Sequence, residues 1–318
     1  MTQLTKLLNI QYPIICGAMY PCSNPELVAA VSEAGGIGIV QPMSLSFVHG
    51  YDYREGLKYI RKLTAKPIGV NLIIEQSSKI YLERTKKWLD ISLEEGIRFF
   101  ITALGNPAWV VEKAHQHGGI VFHDVTERKW AEKALKGNVD GFICVNNRAG
   151  GHAGTLSPDQ LMQDIKGLSK PLICAGGIST AKDYQRALSL GYAGVQLGTR
   201  FIASTECNAH ADYKNAIVKA NPEDVVMTDK ISGVPVSVIK TPYIESIGTK
   251  ANPFVKWMLK GRKTKHWMRL FYTLKATWQL KHSHLKGSAY KDYFQAGKSV
   301  EGIQSVIPAK QIINDLVS

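Results

Sequence analysis

Short apolar runs of five to eight residues recur through the first two thirds of the chain. They occupy residues 13–18, 36–41, 67–74, 97–103, 119–123, 140–145, 171–175 and 193–197, and most end at glycine or a polar residue. Between them lie stretches whose apolar positions repeat at three and four residues: 25–34, 53–63, 79–95, 107–117, 127–136, 158–168 and 180–190. The first pattern predicts buried strands and the second amphipathic helices. Eight strands alternating with helices predict a parallel sheet, and the count of eight predicts its closure into a (β/α)8 barrel. Local signals agree with these boundaries. Ser157-Pro158 with Asp159 reads as an N-cap, a first-turn proline and a first-turn acid, and Thr180-x-x-Asp183 reads as a capping box.

After Phe201 the pattern changes. Residues 203–225 read as another helical stretch and 226–243 alternate like strands. Residues 246–291 hold eleven Lys and Arg and no Asp or Glu. The expected organisation is a barrel over 1–202, a cap or insertion over the barrel mouth at 203–292, and a closing segment at 293–318. The net charge is +13, and removing the basic stretch leaves +2. In that stretch Trp267, Leu270, Phe271, Leu274 and Trp278 form the stripe of an amphipathic helix. Packing of the stripe on the barrel is the plainest expectation. The charge could instead serve an acidic substrate or partner, such as a CoA ester, acyl carrier protein or NAD(P)H, or a membrane surface. No nucleic-acid recognition module accompanies it.

Composition adds little beyond compartment. The five cysteines are scattered and odd in number, without paired metal-ligand spacing, which points to a reducing compartment and to no metal site. Neither a signal peptide nor a transmembrane run is read from the sequence, so a cytoplasmic protein is expected.

Barrel chemistry gathers at the C-terminal ends of the strands. Two such ends, Ala175-Gly176-Gly177-Ile178 and Gln196-Leu197-Gly198-Thr199, are glycine turns after the seventh and eighth strands, where barrels of this kind commonly hold a phosphate. Glycine admits close approach of backbone N–H groups to an anion. The turn after the sixth strand, Ala149-Gly150-Gly151-His152-Ala153-Gly154, places one imidazole among three glycines. A histidine there can exchange a proton at neutral pH.

Taken together, these three motifs resemble the signature segments of the nitronate monooxygenase (2-nitropropane dioxygenase) family. That family of FMN-dependent (β/α)8 enzymes also holds NADH:quinone reductases and flavin-dependent enoyl-acyl-carrier-protein reductases. The resemblance covers about residues 8–205 and resumes at Ala296-Gly297-Lys298-Ser299-Val300. It implies that Gly17, Ala18 and Met19 lie against the flavin ring and that Asn71 hydrogen-bonds the flavin or its ribityl chain. Val145 and Gly150 would line the ring, His152 would stand at the reacting position, and Gly177, Gln196, Leu197, Gly198 and Thr199 would hold the ribityl phosphate. No Rossmann G-x-G-x-x-G accompanies a strand and helix, which favours FMN over FAD.

Three departures from the family pattern bear on the substrate. Ala18 replaces a proline of many nitronate monooxygenases, Val145 replaces a glutamine of some members, and Asp124 stands where the quinone reductases carry lysine. A carboxylate cannot replace that cation, so either His123 or Arg148 compensates or the flavin sits in a more neutral pocket. The leading expectation is FMN-dependent oxidation of alkyl nitronates by O2. The alternatives are NAD(P)H-dependent reduction of quinones or enoyl thioesters, and a low-turnover flavin-binding or peripheral membrane protein. A homodimer is left open.

Overall fold

The computed structural model describes residues 2–75, 79–230, 234–250 and 293–318. Eight parallel strands close on themselves: β1 (Ile14–Cys16), β2 (Ile37–Val40), β3 (Ile68–Ile73), β4 (Phe99–Ala103), β5 (Ile120–Val125), β6 (Gly141–Val145), β7 (Leu172–Ala175) and β8 (Gly194–Leu197). Closure runs through β1 and β8, with Ile15 opposite Gln196. All eight predicted strands are present, and the fold is the expected (β/α)8 barrel.

Alternation along the strands sorts the side chains. Ile15, Ile37, Ile39, Phe99, Ile101, Phe122, Ile143 and Ile173 fill the barrel, with Phe99 and Phe122 edge to face at 5.3 Å between ring centroids. The alternate positions, such as Ile14, Val40, Val70, Phe100 and Phe142, pack outward beneath the helices. Both faces are thus apolar, which is why the strands read as nearly continuous hydrophobic runs. Inward glycines make room for the large rings: a Cβ on Gly141 would lie 2.5 Å from Phe122.

The helices in chain order are α1 (Gln3–Leu8), α2 (Pro25–Glu33), α3 (Tyr53–Leu63), α4 (Lys79–Glu94), α5 (Ala108–His115), α6 (Arg128–Leu135), α7 (Pro158–Ile165), α8 (Ala181–Ser189), α9 (Thr199–Ile202), α10 (Ala211–Lys219), α11 (Pro242–Ile247) and α12 (Ala309–Val317). Ser157 and Thr180 form the capping boxes that their sequence context announces. The helix α1 was not read from the sequence. Its Leu4 and Leu8, with Ile10, join the barrel-interior cluster and stopper the N-terminal end. Each such fully buried side chain contributes on the order of 1.5–3 kcal/mol.

Two expectations after β8 need correction. The turn at Gly198 leads into only four helical residues, and residues 203–225 are helical only across α10 and a single 3-10 turn at Pro222–Asp224. In the irregular stretch before α10 the Ser204 and Cys207 carbonyls accept from the Lys214 ammonium at 2.7 and 2.5 Å. The eighth barrel helix is supplied by α12, which packs against α8 and α2. The strand-like 226–243 region is an antiparallel pair, β9 (Val225–Thr228) and β10 (Val236–Ile239). The amphipathic stripe from Trp267 to Trp278, and all but one of the eleven cations of the basic stretch, lie outside the described residues.

Candidate functional site

The C-terminal ends of the barrel strands open into a cavity of about 2100 Å3. Every residue that the sequence singled out lines it: Gly17, Ala18 and Met19 after β1, Asn71 in β3, Val145 in β6, Gly150 and His152 after β6, Gly177 after β7, and Gln196, Leu197, Gly198 and Thr199 at β8. The barrel brings them together because each sits at a strand end or in the loop that follows.

The glycines turn out to have different jobs. A Cβ on Gly17 would press on the Gln196 side chain at 3.0 Å, so this glycine makes room for a protein side chain. A Cβ on Gly150 would strike the backbone of Ala296 and Gly297, the latter at 2.9 Å, so this close approach admits the closing segment of the chain. Gly177 has φ +80, and a Cβ there would meet Arg148 Nε at 2.6 Å. Only at Gly198 does the missing side chain leave space: its Cβ would touch Met19 Sδ at 3.4 Å and, with the residue lining the cavity, project into it. No described residue accepts a hydrogen bond from the backbone N–H of Gly177, Gly198 or Thr199. The Thr199 hydroxyl accepts from Gly297 N–H at 2.9 Å and keeps its own hydrogen to donate. These donors converge on one side of the mouth and suit an anion. The four-residue α9 is too short to add a useful dipole.

Arg148 belongs to that corner as well. It lies against Gly177, and its Nη2 pairs with Glu301 at 3.1 Å. Sequence reasoning treated Arg148 as a cation to compensate for Asp124; the structure turns its guanidinium towards Glu301 instead. His123 cannot compensate either. Burial pushes its pKa down to about 4, so it is uncharged at neutral pH, and its Nδ1 shares a hydrogen bond of 2.8 Å with Thr102 Oγ1.

On the cavity floor two acceptor oxygens, Asp124 Oδ1 and Gln196 Oε1, are buried with no partner among the described residues. Leaving a buried acceptor unpaired costs roughly 1–3 kcal/mol, more for a charged group. Asn71 spends one amide hydrogen on the Ile101 carbonyl at 3.2 Å. The His152 ring stands exposed in the cavity with no hydrogen-bond partner among the described residues. The protein packed around it lowers its pKa, so the ring is a neutral base at neutral pH.

Asp124 also makes a testable mark on stability. Burial pushes its pKa from 3.8 up to about 7. Between those values the folded chain binds a proton that the unfolded chain has lost, so this group's contribution to stability is full below 3.8 and falls as pH rises through 7. His123 acts oppositely, since its depressed pKa makes stability rise from about pH 4 to 6.5, and the two slopes offset each other in the native protein. In Asp124→Asn the falling slope disappears. Urea melts are expected to show the variant gaining on the native protein from pH 4 to 7, by up to about 4 kcal/mol at 1.36 kcal/mol per pKa unit. Parallel profiles would show that Asp124 is ionised in the fold at all these pH values.

The chain matches the family model described as nitronate monooxygenase over residues 1–318. It is 29% identical to a "Probable nitronate monooxygenase" of Staphylococcus saprophyticus over 77% of this chain and 80% of that protein. It is 23% identical to a (3aS,4S,5R,7aS)-5-hydroxy-7a-methyl-1-oxo-octahydro-1H-indene-4-carboxyl-CoA dehydrogenase of Rhodococcus jostii, over 100% of this chain and 95% of that one. Among solved structures, FabK from Thermotoga maritima superposes with a TM-score of 0.82 at 30% identity, covering 99% of this chain and 94% of that one. On the match along its whole length and on the barrel that carries the motifs, this chain belongs to the nitronate monooxygenase family.

Proposed function

We propose that this protein is an FMN-dependent oxidoreductase that oxidises small alkyl nitronates with O2. The residues fit the cofactor: Gly198 leaves a cradle that a side chain would fill, the N–H groups of Gly177, Gly198 and Thr199 are available to a phosphate, and the Arg148 charge lies beside Gly177. When bound, FMN would accept two electrons from the substrate and pass them to O2. The chain supplies the remainder. Gly177, Gly198 and Thr199 would fix the phosphate, Gly17, Ala18 and Met19 with Val145 would line the ring, and Gln196 and Asn71 would pair its polar edge.

The observation that carries the nitronate reading is the His152 ring in the cavity, which has no hydrogen-bond partner among the described residues. As a free base it can remove the acidic proton on the carbon beside a nitro group at its nitrogen. Protonated by that step, the ring then carries a positive charge next to the anion it has made.

A second reading rests on the mouth of the cavity. Ile80 is 77% exposed and Leu104 60% exposed, and both line it. Trp130 lies there beneath Lys129 and Lys133, whose ammonium groups are 5.0 and 5.8 Å from the ring centroid. An apolar rim with cations suits an acyl thioester, oxidised or reduced through NAD(P)H, and the Rhodococcus relative is named for a carboxyl-CoA substrate.

Anaerobic mixing distinguishes the two. The purified protein, carrying one FMN per chain, is expected to lose its visible flavin absorbance when mixed with an alkyl nitronate and to regain it on admitting air. Bleaching by NAD(P)H and not by nitronate would replace the first reading with the second.

A further inference from the structure

We propose that Asp124 is the proton acceptor that accompanies flavin reduction in this site, so that the flavoprotein takes up two protons with every electron pair, one on the flavin and the second on the Asp124 carboxylate. The inference rests on the FMN reading above and concerns a residue to which the family resemblance assigns no role.

Asp124 is the penultimate residue of β5, in register with Ile143 of β6, and its side chain lines the cavity that the other strand ends share. Its Oδ1 is buried without a partner among the described residues, in a cavity that Ala103, Val145 and Ala175 also line. The phosphate donors belong to the turns after β7 and β8. A carboxyl group on β5 is set away from that anion, with β6 between it and the nearer turn, and faces the part of the cavity left for the ring.

The charged and titratable groups around it are sparse. On its own strand is His123, held neutral and bonded to Thr102. On β6 is Cys144, a buried thiol that feels the Asp124 charge. In the loop after β6 are His152 and Arg148, the latter engaged with Glu301. On α6 is Lys133, directed to the Trp130 ring. β4 offers only Thr102 and Ala103. None is a cation that would hold Asp124 ionised beside a negatively charged reduced ring, and burial alone raises its proton affinity.

Two electrons leave the reductant and enter the flavin. One proton is taken at the ring nitrogen N5, and the negative charge left on the pyrimidine side is neutralised because the ionised Asp124 carboxylate binds a second proton from solvent, forming a neutral acid that can donate to that edge. A lysine at the same place would instead neutralise the charge without a proton.

The test uses the purified flavoprotein equilibrated against redox dyes and counts the protons bound per flavin reduced from the pH dependence of the midpoint potential. Near pH 8, where the oxidised protein holds Asp124 ionised, the native protein is expected to bind two protons per flavin reduced. Asp124→Lys is expected to bind one. Asp124→Asn keeps the shape and loses the titration, so its uptake is expected to fall below two while FMN content is unchanged. Equal uptake by the native protein and Asp124→Asn would overturn the assignment, as would an uptake of one by the native protein, which requires no variant to fold. Absence of bound FMN from the native protein would overturn the cofactor reading and this inference with it, whereas FMN present with unchanged uptake would overturn this inference alone.

Discussion

His152→Asn is expected to keep its flavin and lose turnover on neutral nitroalkanes by about 10^2–10^4-fold, the usual contribution of a general base. The separation of the two properties follows from where the ring stands. No described residue hydrogen-bonds it, and its loop is shaped by Gly150, Gly151 and Gly154, so the imidazole can be exchanged for an amide without withdrawing a contact from the fold. Asparagine retains a polar group but cannot take the proton. A nitronate prepared beforehand needs no deprotonation, and the loss on it is expected to be much smaller. Stopped-flow bleaching with both forms of the substrate, at matched flavin content, checks the pair. Native rates on the neutral nitroalkane would remove His152 from the chemistry.

Gly198→Val and Gly297→Val are expected to fail in opposite ways. At Gly198 a side chain meets only Met19 and otherwise occupies the cavity, at a backbone φ of −116 that any residue can adopt. The barrel should melt within a few degrees of the native protein. The phosphate, however, would lose close approach to two N–H donors. Hydrogen bonds to charged groups are worth about 1.5–3 kcal/mol each, so FMN affinity should fall by about 10^2–10^4-fold. At Gly297 a Cβ would lie 2.5 Å from the Arg148 carbonyl oxygen and 2.7 Å from Gly150 N, both backbone atoms that cannot swing aside. Overpacking of that kind costs about 1–3 kcal/mol, and it pries the closing segment from the loop after β6. Calorimetry together with flavin titration distinguishes the two variants. Full FMN occupancy in folded Gly198→Val would show that this turn does not hold the phosphate.

The barrel was readable in advance because its strands are buried on both faces and end in turns that demand glycine or a cap. Helix α1 was not, since six residues with apolar positions at Leu4, Leu7 and Leu8 give too short a period to distinguish a plug from a frayed terminus. The site divides the same way. His152, Gly198 and Gln196 could be placed because a strand end fixes where its own loop begins. Arg148 could not, because the Glu301 that turns it lies 153 positions later in the chain. Likewise the hydroxyl of Thr199 was visible as a donor, but its use by Gly297 depends on a contact across 98 positions. Asp124 was noticeable as a charge in an apolar run, and only the closed barrel shows that its Oδ1 has no partner among the described residues.

The short stretch from Tyr293 to Gly302 fastens three separate elements. Gln295 bridges Val238 of β10, Gly297 donates to Thr199, and Lys298 donates to the Arg148 carbonyl. On the other side, Asp229 N–H donates to the Thr249 carbonyl, so the outgoing chain is pinned as well. Thr249 and Gln295 are therefore two fixed posts. Because the entropy of closing a loop grows only as the logarithm of its length, doubling an insert between such posts costs about 0.6 kcal/mol. An engineer who lengthens the chain between these posts is expected to find the strand ends that would hold the cofactor still in place.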